Sequence, residues 1–348
     1  MNLSGVHGTQ VTPVAVAMLA GCLLGSAHAA VIIPQKSGFS GFINLGAGGI
    51  VVESNTLAGP LSGGIELGKE KIESLADSPD DESALIPLVN FELSYTVAET
   101  RTQFFIGNLL EDFLRFDINT LAGVRQGIGD AGIIGATLRR APFPTEVWED
   151  PYVTGTKRRT TDRESQGFGL FWQQILGSGL EIEYVSSEVD IDDERSGEWL
   201  GLSEAERKLL NRNGDMDRFS LRYELNLAGG RHMLTPEVRY FDNDLDGVAM
   251  SSDGWGLNLN YIYSQNENWR HVINGGYARE DFDRRNPIYS ETDSLDRWGV
   301  SLTSFYLEPF GWDHWSASAT FAWFEQDHDI DFYDQSALLV GFGFLRRF

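Results

Sequence analysis

The chain has 348 residues, with 27 Lys and Arg against 51 Asp and Glu, so its formal net charge is −24. This acidic excess argues against nucleic-acid binding, because phosphates would repel the chain. Beyond the N-terminal region, no apolar run approaches the roughly 20 residues that a membrane helix needs.

The N-terminal region predicts a secretory signal peptide over residues 1–29. Val14–Leu24 forms an apolar core, and the small-residue site Ala27-His28-Ala29 predicts cleavage after Ala29. An alternative is Leu19-Ala20-Gly21-Cys22, which has the form of a lipoprotein signal and would place a lipid on Cys22. We favour the first site because the apolar core continues through Leu24. Cys22 is the only cysteine, so the processed chain would contain no disulfide.

Residues 30–348 form one predicted domain of strands in which bulky apolar residues alternate with small or polar ones. The segments are about 9–12 residues long, as tilted membrane strands are. We predict about fourteen strands, with twelve as the alternative because the segments around Phe104 and Ile133 are weak. The predicted strands are Phe39–Val52, Asn90–Ala98, Gln103–Asn108, Leu114–Val124, Ala131–Arg139, Gly167–Leu176, Leu180–Val189, Met216–Leu227, Leu234–Phe241, Trp255–Tyr263, His271–Arg279, Trp298–Tyr306, Trp315–Phe324 and Gln335–Phe348.

The connections alternate between short turns and long polar stretches. The short turns lie near Glu99, Gly127, Gly177, Gly229, Asn266 and Gly311. The main long stretches are Glu53–Ala84, Pro142–Arg163, Asp190–Asp215, Asp242–Asp253, Asp281–Asp293 and Gln326–Asp334. The pattern predicts an all-β fold, a closed antiparallel transmembrane barrel with short periplasmic turns and long extracellular loops.

One long stretch also predicts a helix. Ser203 is a candidate N-cap, Glu206 three residues later completes a capping box, and Gly214 is a candidate stop signal.

The residues on the parity opposite to the bulky apolar set should face the barrel interior. Its predicted pore-lining charges are Glu92, Arg101, Arg115, Asp117, Arg125, Arg139, Glu181, Glu183, Arg218, Arg222, Glu224, Glu237 and Arg239. Because seven are positive and six negative, the acidic excess of the chain lies mainly in the loops. A nearly balanced polar interior favours a porin-like channel that passes small hydrophilic solutes by passive diffusion. The alternative is that these charges do no more than brace the wall through cross-strand ion pairs.

Asp327-His328-Asp329, near a predicted outer rim, is the strongest candidate for catalysis or metal binding. In a loop this acidic we expect solvated side chains. The sequence contains no nucleophile, zinc or phosphate-loop motif, so we predict no enzymatic activity, no metal and no cofactor.

The closing strand, which ends at Phe348, resembles the last strand of outer-membrane β-barrel proteins of Gram-negative bacteria. This resemblance implies that Phe348 is an assembly signal for the barrel-assembly machinery, and that lipids and lipopolysaccharide surround the barrel. Arg346 departs from the class pattern because it falls on the lipid-facing parity, although near the rim its guanidinium could reach the headgroups.

Three stretches resemble a family of marine-type Gram-negative outer-membrane proteins classified as a domain of unknown function. They are Ser37–Phe42, Gly107-Asn108 with Leu110–Asp117, and Thr145–Trp148 with Asp150–Tyr152. The resemblance implies an outer-membrane location and a barrel, but no substrate. Three functions remain open: a channel, a surface-exposed binding or adhesion barrel without a conducting pore, and a rim hydrolase.

Overall fold

The computed structural model describes residues 32–59, 65–76, 78–108 and 120–348. The predicted signal peptide, with Cys22, lies outside these ranges. The described residues form the strands β1 Gly38–Ser54, β2 Leu57–Gly59, β3 Asp81–Val97, β4 Thr102–Asn108, β5 Thr120–Gly127, β6 Ile133–Arg140, β7 Thr145–Trp148, β8 Thr160–Gln173, β9 Leu180–Ile191, β10 Gly214–Tyr223, β11 Leu225–Leu227, β12 His232–Leu245, β13 Ser252–Ser264, β14 Trp269–Phe282, β15 Ser294–Leu307, β16 Trp315–His328 and β17 Gln335–Arg347, and one α-helix, α1 Glu204–Lys208. In these ranges no helix combines the length and hydrophobicity of a bilayer span.

The strands form one antiparallel sheet that closes on itself. β1 pairs with β3 on one side and with β17 on the other, from Phe42 opposite Arg347 to Ser54 opposite Gln335. β10 and β11 are one wall strand interrupted at Glu224, whereas β2 and β7 lie in the loops above the wall. The described wall therefore has fourteen strands, which confirms the predicted barrel.

Successive side chains point alternately out of and into the barrel, as strand geometry requires. In β15, Val300 and Leu302 are each 41% exposed on the outside, whereas Ser301 and Thr303 are at most 2% exposed on the inside. The other long strands repeat this pattern, so a continuous apolar belt surrounds the barrel. Exposing such a belt to water is unfavourable, whereas the hydrocarbon of a bilayer covers it. The protein is therefore an outer-membrane barrel.

The two ends of the barrel differ. At one, the turn end, short connections join the strands, and Gly129, Gly177 and Gly311 take φ values of 64°, 72° and 74°. This left-handed region favours glycine because it lacks a Cβ. At the other, the loop end, the connections are L1 (55–80), L2 (109–119, outside the described residues), L3 (141–159), L4 (192–213), L5 (246–251), L6 (283–293) and L7 (329–334).

Several strands extend further than the sequence predicts. β3 begins at Asp81 and not near Asn90, and β8 begins at Thr160 and not at Gly167. The added residues of β8 are polar on both faces, so apolar alternation ends although the hydrogen-bond ladder continues. In β3 the alternation fails for the opposite reason, because the inward-facing Ile86 and Leu88 are also apolar and pack in one cluster with Leu67 of L1. The segments near Phe104 and Ile133 form β4 and β6, so the twelve-strand alternative is wrong.

The predicted capping box of α1 is confirmed, but its predicted stop is wrong. The Ser203 hydroxyl accepts from the Glu206 backbone N–H, and the Glu206 carboxylate accepts from the Ser203 backbone N–H. α1 ends at Lys208, and Gly214 begins β10. The intervening residues return the chain to the wall, a tertiary demand that local capping signals do not report.

Candidate functional site

One arc of the inner wall carries buried charges that form a connected network. Glu183 accepts hydrogen bonds from Arg139 at 3.0 Å and from Arg222 at 2.6 Å. The side chains of Arg139, Glu183 and Arg222 are only 7%, 11% and 2% exposed, respectively. A charge removed this far from water needs partners of opposite sign, and Glu183 supplies one to both guanidinium groups.

The network continues along the arc through Arg222. Its guanidinium lies 3.1 Å from Glu181 and 3.5 Å from Glu237, and Glu237 accepts from Arg239 at 2.9 Å. Three Arg and three Glu on β6, β9, β10 and β12 are thus joined among the described residues. The arc is charged at every step but neutral as a whole.

A second pair lies further around the wall. Arg125 contacts both carboxylate oxygens of Glu92, at 3.2 and 3.3 Å, and donates to Gln103 at 3.0 Å. Its guanidinium lies 3.8 Å from the centre of the Phe105 ring. That ring rests on Gly123, where a Cβ would approach a ring carbon to 2.5 Å. The glycine makes room for the ring, and the ring supports the guanidinium.

The remaining predicted lining residues lie in different places. Arg218 is half-buried on the inner face of β10, and Glu224 is half-buried at the interruption between β10 and β11. Arg101 is instead exposed in the turn before β4 at φ 55°, so it lies at the turn end and not on the wall. Arg115 and Asp117 lie outside the described residues.

The opposite arc, from β13 through β17 to β1, is mainly neutral. Asn274 donates to the Ser301 hydroxyl at 3.1 Å, and both residues are at most 1% exposed. Apolar side chains also face inward near the turn end, where Val272, Phe305 and Leu345 form one cluster. The interior therefore carries a connected charge network on one side and mainly uncharged side chains on the other.

The sequence analysis did not identify the few inward charges of this mainly uncharged arc. Arg297 lies 3.0 Å from Glu280, and Arg270 is 7% exposed beside Ser264. Glu280 and Arg270 share the parity of the inward-facing Val272, so extending the alternation through β14 would have identified them.

The loops at the loop end fold into a compact layer, which we call the cap: L1 and L3 to L7. β2 of L1 pairs with β7 of L3, and Ile72 forms a parallel bridge with Thr154. Leu57 and Leu67 of L1 pack against the inward-facing Ile50 of β1. L1 therefore reaches down into the loop end of the barrel.

Arg158 joins the two loops at the centre of the cap. It is 1% exposed and donates to the carbonyl oxygens of Asn55 at 2.6 Å, Pro151 at 3.2 Å and Lys69. Its guanidinium lies 4.2 Å from the centre of the Trp148 ring. Burial lowers the pKa of Arg158 to about 10, so the side chain remains charged at neutral pH.

An aromatic cluster closes the cap over the barrel. Tyr152 of L3 and Phe332 and Tyr333 of L7 are buried together with Leu210 of L4. The hydroxyls of Tyr152 and Tyr333 lie 2.6 Å apart, and Asn286 of L6 donates to Tyr333 at 2.8 Å. Burial raises the pKa of both tyrosine hydroxyls above the ordinary value. Four loops thus meet in one apolar centre with a small polar bridge.

The expectation of solvated side chains is wrong for His328. Its Nδ1 lies 2.7 Å from Asp293, and the two side chains are 8% and 3% exposed. They are buried because L6 packs on L7, where the Asp293 carboxylate also accepts from the Ile330 backbone. Asp327 is exposed, and Asp329 accepts from Ser294 at 2.6 Å. In the described ranges, no group of three His, Cys, Asp or Glu residues could hold a metal ion.

A cavity of about 340 Å³ lies at the turn end of the charged arc. It is formed by the turn between β8 and β9 and by the adjoining ends of β8 to β12. Glu181 and Arg222 of the network line it together with Glu224. The cavity thus joins the charged arc to the turn end.

A family model described as a protein of unknown function (DUF2860) matches residues 38–345. The comparison with curated proteins found no match. Among solved structures, a Pseudomonas aeruginosa FadL homologue shares 13% identity with a TM-score of 0.45, over 89% of this chain and 90% of that one. The outer-membrane channel DcaP of Acinetobacter baumannii shares 9% identity with a TM-score of 0.44, over 90% and 97%. A mutant of the TodX monoaromatic hydrocarbon channel shares 9% identity with a TM-score of 0.46, over 89% of this chain and 90% of that one.

Proposed function

The chain belongs to the DUF2860 family of proteins of unknown function, and we propose that this outer-membrane barrel is a channel that passes small hydrophilic solutes by passive diffusion. The observation that carries the proposal is the connected Arg and Glu network on the inner wall, which ends at the turn-end cavity. A wall that only needed to fill a barrel would bury apolar side chains at lower desolvation cost. Opposed fixed charges orient dipolar solutes as they pass.

The proposed path runs along the charged arc. Its lining residues are those predicted charges whose side chains face inward: Glu92, Arg125, Arg139, Glu181, Glu183, Arg218, Arg222, Glu224, Glu237 and Arg239. Because the connected network is neutral as a whole, the expected charge selectivity is weak. The ion pairs also brace the wall, and the two roles are compatible.

The conformation described here is the closed form in this proposal. L1 fills the loop end of the barrel, and the cap joins it to the other described loops through Arg158 and the aromatic cluster. Opening requires L1 to separate from L3 and from the wall while the wall strands stay paired. We place the loops on the outside of the cell and the short turns in the periplasm, as the class resemblance implies.

Two further proposals concern partners of the barrel, and the closing seam supports the first. The Phe348 backbone pairs with Gly41 at 3.0 and 3.1 Å, which extends the β1–β17 seam to the last residue. We propose that this end of β17 is the contact for the barrel-assembly machinery, and that lipopolysaccharide surrounds the loop end. Arg346 faces outward near the Trp315 ring at the turn end, where it can reach lipid headgroups.

A second candidate is a surface-exposed binding or adhesion barrel without a conducting pore. The folded cap favours it, because adhesion needs an ordered outer surface and no continuous lumen. No such observation favours an enzymatic role, since the His328–Asp293 pair is buried between L6 and L7.

Planar-bilayer recording distinguishes the two candidates. The refolded mature chain is compared with a variant in which residues 56–79 are replaced by a short Gly-Ser linker. We expect little current from the intact barrel and stable conductance steps from the shortened one. If both carry no current over a range of voltages, the channel is excluded and the binding barrel is favoured. Heat-modifiable migration in detergent gels shows that both variants are folded.

A further inference from the structure

The turn end of the mainly uncharged arc carries a band of inward-facing apolar side chains. We call this band the apolar layer, and its members are Phe42, Met233, Ile262, Val272, Phe305, Leu307 and Leu345. At its centre, Val272 and Phe305 are 0% and 1% exposed. The layer extends from β12 across β13, β14, β15 and β17 to β1, so it covers about half of the fourteen-strand wall at this level.

The apolar layer is only one inward residue deep, and polar residues lie on both sides of it. The inward residues two positions closer to the barrel centre than Phe42, Met233, Ile262, Val272 and Phe305 are Asn44, Thr235, Asn260, Asn274 and Thr303. At the very end of the strands, Arg270 follows Val272 on the inward parity and Arg347 follows Leu345. The layer is therefore a single apolar band in an otherwise polar lining.

Such a band is a barrier to water-soluble solutes. Hydrophobic constrictions in channels stop conduction because water leaves them. A polar or charged solute that enters one loses its water without gaining hydrogen bonds in exchange, which is strongly unfavourable. The charged arc offers the opposite surroundings, since Glu181 and Arg222 lie 3.1 Å apart beside the turn-end cavity. The two sides of the turn end are thus unequal exits.

The apolar layer ends where the cavity begins. Met233 belongs to the layer, and Thr235, the next inward residue of β12, lines the cavity. The cavity volume of about 340 Å³ corresponds to roughly eleven water molecules at ~30 Å³ each. A hexose has about as many non-hydrogen atoms as this volume holds waters, whereas a trisaccharide is three times as large.

We propose that the apolar layer is the selectivity constriction of the channel. It closes the uncharged side of the turn end, so solutes leave the lumen through the cavity beside Glu181 and Arg222. The layer thereby limits them to hydrophilic molecules of about hexose size. This inference deepens the proposed channel function and rests on it, and Val272 and Phe305 are the residues that determine the selectivity.

The test uses the barrel with the shortened L1, because none of the replaced residues belongs to the apolar layer. Phe305→Ala removes a ring from the centre of the layer. The single-channel conductance should rise, about twofold if the freed side becomes as wide as the charged side. In vesicles, swelling in raffinose should become faster relative to swelling in glucose, because the size limit is relaxed.

A second variant separates wetting from widening. Val272→Thr keeps the shape of the side chain but adds a hydroxyl. It should raise the conductance and leave the ratio of raffinose to glucose swelling unchanged. If Phe305→Ala does not fold, as shown by heat-modifiable migration, Val272→Thr decides: a conductance equal to that of its parent overturns the constriction.

Two further variants test the route. Phe344→Ala is the matched control, since it removes an outward-facing ring near the same end of β17 and should change neither readout. Asn226→Trp places a bulky ring at the exposed lining of the cavity and should lower the conductance of the parent. The same substitution should lower it by a smaller fraction in Phe305→Ala, where the second side is open.

The channel and the constriction fail in different ways. A shortened barrel that conducts equally with Phe305→Ala and with Phe344→Ala overturns the constriction and keeps the channel. A barrel that is silent with and without Phe305→Ala overturns both. Current from Phe305→Ala over a silent parent shows a turn end that is closed on all sides, which overturns the exit through the cavity and the proposed channel.

Discussion

Replacing Arg158 with methionine should open the cap without unfolding the barrel. The substitution keeps an unbranched side chain of similar length but removes the donors to three loop carbonyls and the contact with Trp148. All the lost contacts lie in L1 and L3, so the hydrogen-bond ladder of the wall is untouched.

The size of the effect follows from the contacts. Three carbonyls lose a charged donor at about 1–3 kcal/mol each, and the cation–π contact adds about 1–2 kcal/mol. Burying the Arg158 guanidinium, which is 1% exposed, costs desolvation energy. The substitution removes that cost, which offsets several kcal/mol of the lost contact energy. The balance destabilises the closed cap by about 2–4 kcal/mol, which raises the open population about 30- to 700-fold at 1.4 kcal/mol per tenfold.

Limited proteolysis measures this population, because cleavage of the loops tracks the open fraction when opening is fast. Proteinase K should cut L1 and L3 of Arg158→Met faster by that factor. Arg159→Met is the matched control: Arg159 is 68% exposed and pairs with Glu149 at 2.6 Å, and such surface pairs are worth at most about 1 kcal/mol. Equal cleavage rates for the two variants would refute the role of Arg158.

Three further outcomes are expected. Burial raises the pKa of Tyr152 in the folded cap, so the closed cap keeps a proton that the open form releases above about pH 10, and the cap should loosen as pH rises beyond that value. The part of the tyrosinate absorbance that Tyr152→Phe lacks should therefore appear only above about pH 10, and its appearance at lower pH would contradict the burial of this hydroxyl. Glu183→Gln leaves two buried guanidinium groups without their shared carboxylate and should lower the free energy of unfolding in lipid vesicles by about 3 kcal/mol, whereas the exposed Glu164→Gln should change it little; the idea fails if both behave alike. Gly135→Ala puts a Cβ 2.1 Å from an inward aromatic ring and should cost about 1–3 kcal/mol in the same assay, while Gly275→Ala meets nothing within 4 Å and should be neutral; no difference between them would contradict the packing of the inner wall.

The wall was predictable because the bilayer imposes a simple rule. In β15 and β12 the outer residues meet hydrocarbon and the inner ones meet a polar interior, so apolar and polar side chains alternate along the sequence. Prediction failed where that contrast ends. The strand that begins at Thr160 is polar on both faces over its first residues, whereas the strand that begins at Asp81 is apolar on both faces where Ile86 and Leu88 pack beneath L1.

The cap could not be predicted from local pattern. Arg158 stands between Lys157 and Arg159, and all three are equally basic in sequence. Only Arg158 is buried, and its partner Asn55 lies 103 residues away. Likewise, His328 is surrounded by acids in sequence but buried in space, because L6 supplies Asp293. Contacts between distant loops leave no periodic signal in either segment.

The central claim is that the lumen conducts when the cap opens, and a reversible lock tests it most directly. Ile72 and Thr154 lie opposite each other where L1 meets L3, so Ile72→Cys/Thr154→Cys in the mature Arg158→Met chain can join the two loops. Single barrels in a planar bilayer should carry no current while oxidised, conduct in discrete steps after a reductant is added, and close again on reoxidation. Current that is the same in both redox states, or absent in both, would contradict the account.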